Sequence, residues 1–323
     1  MFGKTILQSI LGTFILLCVA NCADGDQYNA GDPAAEEYYL RNALHCLLRD
    51  PVCPSIAPLQ PTALGSNLRL WLEADGVTAN DGASVSAWAD QSGNGFNATQ
   101  STAAQQPTYQ VGAMGGQPAL RFNSSQTPGT NLTLGANYIY STNDGVSIMA
   151  VVRSNAEDNN LSFILDFGLQ STDGYGLAYS ANPDGQGNNL RTYTPSAAGG
   201  TALLTPYQST TLEPVIIFAR TKFAPATDHH QTIFVNGSAI ASSAHSLTQL
   251  TAGEINEAST RMSTDGPITI GGQAKTQSET GRFFAGDMGL VMVFDKALTE
   301  AERRGLECYA SLKYGIALAY GCF

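Results

Sequence analysis

Apolar residues along this chain follow three rhythms, and each predicts a different kind of segment. Behind Lys4, Ile6 through Ala20 is mostly apolar, the length of an export leader and short for a bilayer-spanning helix. From Leu40 the rhythm is helical, with Leu40, Ala43, Leu44, Leu47 and Leu48 on one face. Asp32 and Pro33 suit the entry of that helix, Glu36 and Glu37 suit its positive end, and Asp50-Pro51 stops it. After Leu68 the pattern breaks into short apolar stretches: Leu68 to Leu72, Ala119 to Phe122, Val146 to Arg153, Ser162 to Phe167, Val215 to Thr221, Thr232 to Val235, Ile268 to Ile270 and Leu290 to Phe294. Each reads as a β-strand.

Turn dipeptides separate these strands. Asp-Gly begins at Asp75, Asp81, Asp144, Asp173, Asp184 and Asp265, and Asn-Gly at Asn94 and Asn236. The chain lacks the alternating helices a parallel sheet needs, so the expected fold is an all-β antiparallel sandwich. Val146 to Val152 is apolar at both parities, which predicts a central strand covered on both faces. One helix closes the domain: Thr299 caps it, Glu300 and Glu302 occupy its first turn, Ala301, Leu306, Tyr309 and Leu312 share a face, and Gly315 ends it. The expected division is a leader over 1–21, a tether with one amphipathic helix and a Pro-rich connector over 22–63, and a sandwich over 64–323.

The junction of leader and tether carries a second signal. Val19-Ala20-Asn21-Cys22 resembles a bacterial lipobox, which implies a lipid on Cys22 and a mature chain held at a membrane, facing the periplasm or the cell exterior. Ordinary secretory cleavage nearby is the alternative, and either route exports the remainder. Lys and Arg number 16 against 27 Asp and Glu, for a net charge of −11, which argues against nucleic acid or anionic lipid as a partner. Beyond Cys18 and Cys22 the cysteines are Cys46, Cys53, Cys308 and Cys322. In an oxidising compartment they predict two disulfides. Local pairing within each end is favoured, while a crossed pattern would staple the arm to the terminal helix.

Val85-Ser86-Ala87-Trp88-Ala89-Asp90-Gln91-Ser92-Gly93-Asn94-Gly95, behind Leu70-Trp71-Leu72, is similar to the opening of a laminin-G-like domain of the concanavalin A-like lectin/glucanase superfamily. Gly286 to Asp295, followed by Ala297-Leu298-Thr299 and the helix to Lys313-Tyr314-Gly315, resembles that family's last strand and terminal helix. Ile233 to Gly237 and Ile268 to Gly272 resemble its internal strand-turn motifs. The resemblance covers about residues 64 to 318. It implies a jelly-roll sandwich that binds carbohydrate or extracellular protein, and some relatives hold calcium at a rim.

Within that frame Trp71 and Trp88 are expected to plug the core, while Asp90, Ser92 and Asn94 brace a loop turned by Gly93 and Gly95. A calcium site would draw on Asp75, Asp81, Asp90 and Asn94, hard oxygen donors suited to that ion. Tyr138, Tyr140, Tyr175 and Tyr179 are candidate stacking surfaces for a ligand. The superfamily's glucanases carry Glu-x-Asp-x-Glu on one strand; here Glu73-Ala74-Asp75 begins such a motif with no third acid in register. The serine-hydrolase, zinc-protease and P-loop signatures are also absent from the sequence. The expected function is therefore a non-catalytic, surface-displayed binding lipoprotein. A structural lipoprotein without a discrete site, and a polysaccharide-cleaving enzyme, are the alternatives.

Overall fold

Strands that are apolar on both faces need two covers, and the fold supplies a second sheet on one side and a helix on the other. The structure, a computed structural model, describes residues 56–125, 129–135, 145–155, 162–167, 176–181, 188–194, 201–208, 213–222, 230–244, 268–273 and 282–322. Among the described residues, two antiparallel sheets of eight strands face each other. The first runs β14 (Ser238–Ala244), β13 (His230–Val235), β12 (Val215–Lys222), β7 (Gly145–Ser154), β16 (Gly286–Phe294), β5 (Gln117–Phe122) and β4 (Thr108–Met114), with β1 (Leu68–Glu73) also paired to β16. The second runs β11 (Thr201–Gln208), β10 (Asn188–Thr194), β9 (Gly176–Ala181), β8 (Ser162–Asp166), β15 (Thr269–Ile270), β6 (Leu132–Leu134), β3 (Ala98–Thr99) and β2 (Ala87–Trp88). This is the all-β sandwich expected from the strand rhythm.

Alternation sorts the side chains between two cores. Leu70, Leu72, Ile148, Ala150, Val152, Ile217, Val291 and Val293 point between the sheets, where they meet Leu165, Leu177, Tyr179, Leu190, Leu132 and Trp88 of the second sheet. Met149, Val151, Phe218, Leu290, Met292 and Phe294 point outward from the first sheet and pack under α1 (Glu300–Tyr314) through Leu306, Ala310 and Tyr314. The register holds both faces at once: Val151 lies opposite Leu290 and Met149 opposite Met292. Trp88 is fully buried between the sheets as expected. Trp71 is not: it opposes Met292 on the helix-covered face and meets Tyr309 of α1 edge-on, with ring centroids 6.4 Å apart. The parity of β1 decides this, since Leu70 and Leu72 take the inward positions.

Helix α1 begins and ends where its sequence says. Thr299 and Glu302 form a reciprocal capping box, and Gly315 closes the helix with φ 66°. Ala301, expected on the buried face, is exposed, and Arg303 takes the buried position of that turn. The chain joins the domain ahead of residue 64. Leu59 N donates to Gly305 O at 2.8 Å, and Ile56 bridges Cys322. A Cβ on Gly305 would lie 2.7 Å from Leu59 Cβ, so glycine is needed for this close approach. Cys308 and Cys322 form a disulfide with Cα atoms 5.4 Å apart, fastening the C-terminal tail to the helix. Cys46 and Cys53 lie outside the described residues, as does Cys22 with the leader and the arm helix. Among the described residues no helix is long and apolar enough to cross a membrane.

Candidate functional site

The loop after Trp88 spends its polar side chains on a strand edge. One side of β1 pairs with β16, and the other would leave its backbone groups open. Asp90 Oδ1 accepts from Trp71 N at 3.0 Å and Ser92 N at 2.9 Å, while its Oδ2 accepts from Phe96 N at 3.0 Å and Ser92 Oγ at 2.8 Å. Asn94 Nδ2 donates to Leu68 O at 2.9 Å and Arg69 O at 3.1 Å, and Gln91 N donates to Trp71 O at 2.7 Å. Gly93 and Gly95 turn the loop with φ of 87° and 78°. The expected bracing is present, and it extends to capping β1.

That use separates the residues expected to hold calcium. Both oxygens of Asp90 are occupied by donors, and the Asn94 amide is committed to β1 carbonyls. Asp75 pairs with Lys313 Nζ at 2.5 Å, and Asp81 accepts from Val111 N at 2.9 Å. Three separate tasks hold the four residues, so they do not come together as one ligand set. Among the described residues no group of three His, Cys, Asp or Glu is placed to hold a metal.

Of the candidate stacking tyrosines, Tyr138, Tyr140 and Tyr175 lie outside the described residues. Tyr179 is fully buried between the sheets, stacked on Phe284 at 6.3 Å. It therefore offers no face to an incoming ligand, because its parity on β9 points inward beside Leu177.

Two polar clusters fasten α1 to the sandwich. Glu73 is 2% exposed; Tyr309 Oη donates to it at 2.9 Å, and Lys313 Nζ lies 3.0 Å from it while also pairing with Asp75. Burial pushes the Glu73 carboxyl above its ordinary value against the pull of Lys313. Burial and the Glu73 charge push the Tyr309 hydroxyl up as well. The Glu73-Ala74-Asp75 acids are thus engaged with helix docking. In the second cluster, buried Arg303 pairs with Glu300 and with fully buried Glu307, and its guanidinium lies 3.9 Å from the centroid of the Phe234 ring. Tyr320 donates to Glu307, which brings the C-terminal tail into the cluster. Burial raises the Glu307 carboxyl despite Arg303. The Glu300, Arg303, Glu307 spacing of three and four was the sequence signal for this cluster.

A third cluster faces outward. Where α1 ends at Tyr314, whose hydroxyl donates to Gly289 O at 2.9 Å, the outer face of the first sheet changes from apolar to charged. Across three neighbouring strands, Arg121 of β5 and Arg153 of β7 both lie opposite Asp287 of β16. Arg121 Nε donates to Oδ1 at 2.7 Å and its Nη2 to Oδ2 at 3.2 Å; Arg153 Nε donates to Oδ2 at 3.0 Å, and its Nη2 also donates to Oδ2. The Asp287 side chain is 4% exposed, against 46% for Arg121 and 28% for Arg153. The hydrogen bonds to Asp287 raise the Arg121 guanidinium further. Rigid strands thus hold two partly exposed cations in fixed poses by one buried carboxylate. The signal in the sequence was a charge at an outward position of each of three apolar strands, but only the register unites them.

No protein-family model matches the chain, and no curated protein matches it. Solved structures do. The chain is similar to the binding domain of the Paraclostridial mosquitocidal protein 1, with TM-score 0.50, 13% identity, and coverage of 75% of this chain and 52% of that one. It also resembles the receptor-binding domain of botulinum neurotoxin type G, with TM-score 0.46, 15% identity, and coverage of 74% and 51%. A further match is domain 4 of an extracellular arabinanase from Geobacillus stearothermophilus in complex with arabinotriose, with TM-score 0.47, 12% identity, and coverage of 75% and 98%. The chain spans about half the length of the two toxin domains. The fold is a jelly-roll-like antiparallel β-sandwich.

Proposed function

We propose that this protein is an exported binding module of the laminin-G-like type, held at a membrane by a lipid on Cys22. It takes carbohydrate or extracellular protein as its ligand and performs no catalysis. The observation that carries the binding role is the ordered outward pair Arg121 and Arg153. Their poses are set by Asp287 before any ligand arrives, so little side-chain freedom is lost on binding. The likeness to the mosquitocidal binding domain supports the scaffold, and scaffold alone does not assign activity. The exported, lipid-held state rests on the leader and the Val19 to Cys22 signal.

Screening the full chain against arrayed glycans and matrix proteins tests the binding role. Capture of a defined ligand class is expected. Turnover of a polysaccharide in the same screen would replace this reading with the enzymatic one, and no capture of any class would leave the structural alternative. Metabolic labelling with a palmitate analogue tests the anchor: label is expected on the wild type and lost in Cys22→Ala. Label that survives the substitution removes the lipid from Cys22.

A further inference from the structure

We infer that the Arg121–Asp287–Arg153 ladder is the subsite for a single oxyanion carried on a saccharide, a carboxylate or a sulfate. This rests on the binding role proposed above and names the ligand chemistry of that surface. The first support is donor bookkeeping. An arginine has five N–H donors in a planar fork, and among the described residues each of these two uses only Nε and Nη2, both on Asp287. Among the described residues their Nη1 groups make no hydrogen bond to the protein.

The second support is charge. Two guanidinium groups against one carboxylate leave the ladder at a net charge of +1. Asp81, which is exposed, also acts on Arg121, more weakly than Asp287 does. The third is geometry. The two arginines sit on strands flanking β16, about 10 Å apart at the backbone, two strand spacings. Their side chains converge from two flanking strands on one carboxylate, which places both guanidinium groups on the same outward face with Nη1 of each left for a small planar or tetrahedral oxyanion. A net charge of −11 over the chain repels dense polyanions at long range. A ligand with sparse negative groups among neutral ones, such as an oligosaccharide carrying one acidic residue, meets less of that repulsion.

The test uses the full chain, labelled with nitrogen-15 in nonionic detergent, and follows the arginine Nε–Hε resonances. The probes are a trisaccharide ending in glucuronate, the same trisaccharide ending in glucose 6-sulfate, the neutral glucose-terminated analogue and an acetylated glutamate tripeptide. The signals of Arg121 and Arg153 are expected to shift saturably with an acidic saccharide and to ignore the neutral one. The stronger of the two acidic probes assigns carboxylate or sulfate as the source. Arg121→Gln and Arg153→Gln should each weaken that binding at least tenfold, Arg304→Gln should leave it unchanged, and Asp81→Asn should tighten it about twofold at low salt. Arg121→Lys keeps the charge without the fork and should recover only part of the loss.

Equal binding of neutral and acidic saccharides with no effect of Arg121→Gln overturns the oxyanion subsite and leaves the binding role standing. Equal binding of the glutamate peptide overturns the saccharide assignment. If the glutamine variants lose binding only as they lose their fold, Asp81→Asn decides: no gain in affinity from that variant refutes the electrostatic reading.

Discussion

Replacing Asp90 with alanine should open the free edge of β1. Its carboxylate serves three backbone N–H groups, on Trp71, Ser92 and Phe96, at 2.9–3.0 Å, together with the Ser92 hydroxyl. A buried donor left without an acceptor costs about 1–3 kcal/mol. Because Trp71, Ser92 and Phe96 are half-buried, water relieves part of this, and about 1 kcal/mol for each gives a loss of about 3 kcal/mol. For a domain of this size that corresponds to a fall in Tm of about 6–12 °C. Asp90→Asn keeps one acceptor oxygen and turns an amide toward Phe96 N, so about half that fall is expected. The assay is thermal unfolding of the full chain followed by near-ultraviolet circular dichroism, with and without EGTA. A fall of less than about 2 °C in Asp90→Ala would refute the edge-capping argument. A fall in wild-type Tm on adding EGTA would also refute it, since it would return Asp90 to metal binding.

Arg303→Met should cost about 3–5 kcal/mol in urea unfolding, because it strands the fully buried Glu307 carboxylate. Adding Glu307→Gln should restore part of the loss, and a double variant no better than the single one contradicts the pairing. Burial keeps the folded-state pKa of Glu73 above its ordinary 4.5, so its contribution to stability is full below that value and is lost as pH rises through the raised one. The stability of Glu73→Gln relative to wild type should therefore rise between pH 4 and neutrality, and a flat or falling difference in Tm across that range would reverse the assigned direction. Cys308→Ser opens a bridge between residues 14 apart in sequence, and the matching loop predicts a loss of about 3 kcal/mol. Unchanged urea stability would show that the tail is held by Tyr320 and Ile56 contacts alone.

Legibility in the sequence followed the strength of each local pattern. All eight expected apolar stretches fall on strands, the longest being β7 and β16 at the centre of their sheet. Strands β9 and β10 went unread because Leu177, Tyr179 and Leu190, which face inward, are spaced among Ala, Ser, Asn and Thr. Too little alternation remains there to register. β2 and β3 are two residues each, below the length at which any period can be counted. Of the candidate ligand residues within the described structure, Tyr179 is a core side chain, and the four calcium candidates are divided among three tasks. Residue type alone does not say which face of a strand an aromatic occupies, or whether a carboxylate is already hydrogen-bonded to the backbone.

The chain by itself determined what depends on neighbours within a few positions: the strand stretches, the Gly93 and Gly95 loop, and the helix with its Thr299 and Gly315 caps. Tertiary structure decided what depends on register. It placed Trp71 under α1 rather than between the sheets, buried Arg303 and Glu307 beside Phe234, and gathered Arg121 and Arg153 around Asp287 across sequence separations of 166 and 134 residues. A shift of one residue in the pairing of β16 would turn every side chain of that strand to the opposite face. The charged ladder therefore belongs to the pairing of three strands and not to any one of them.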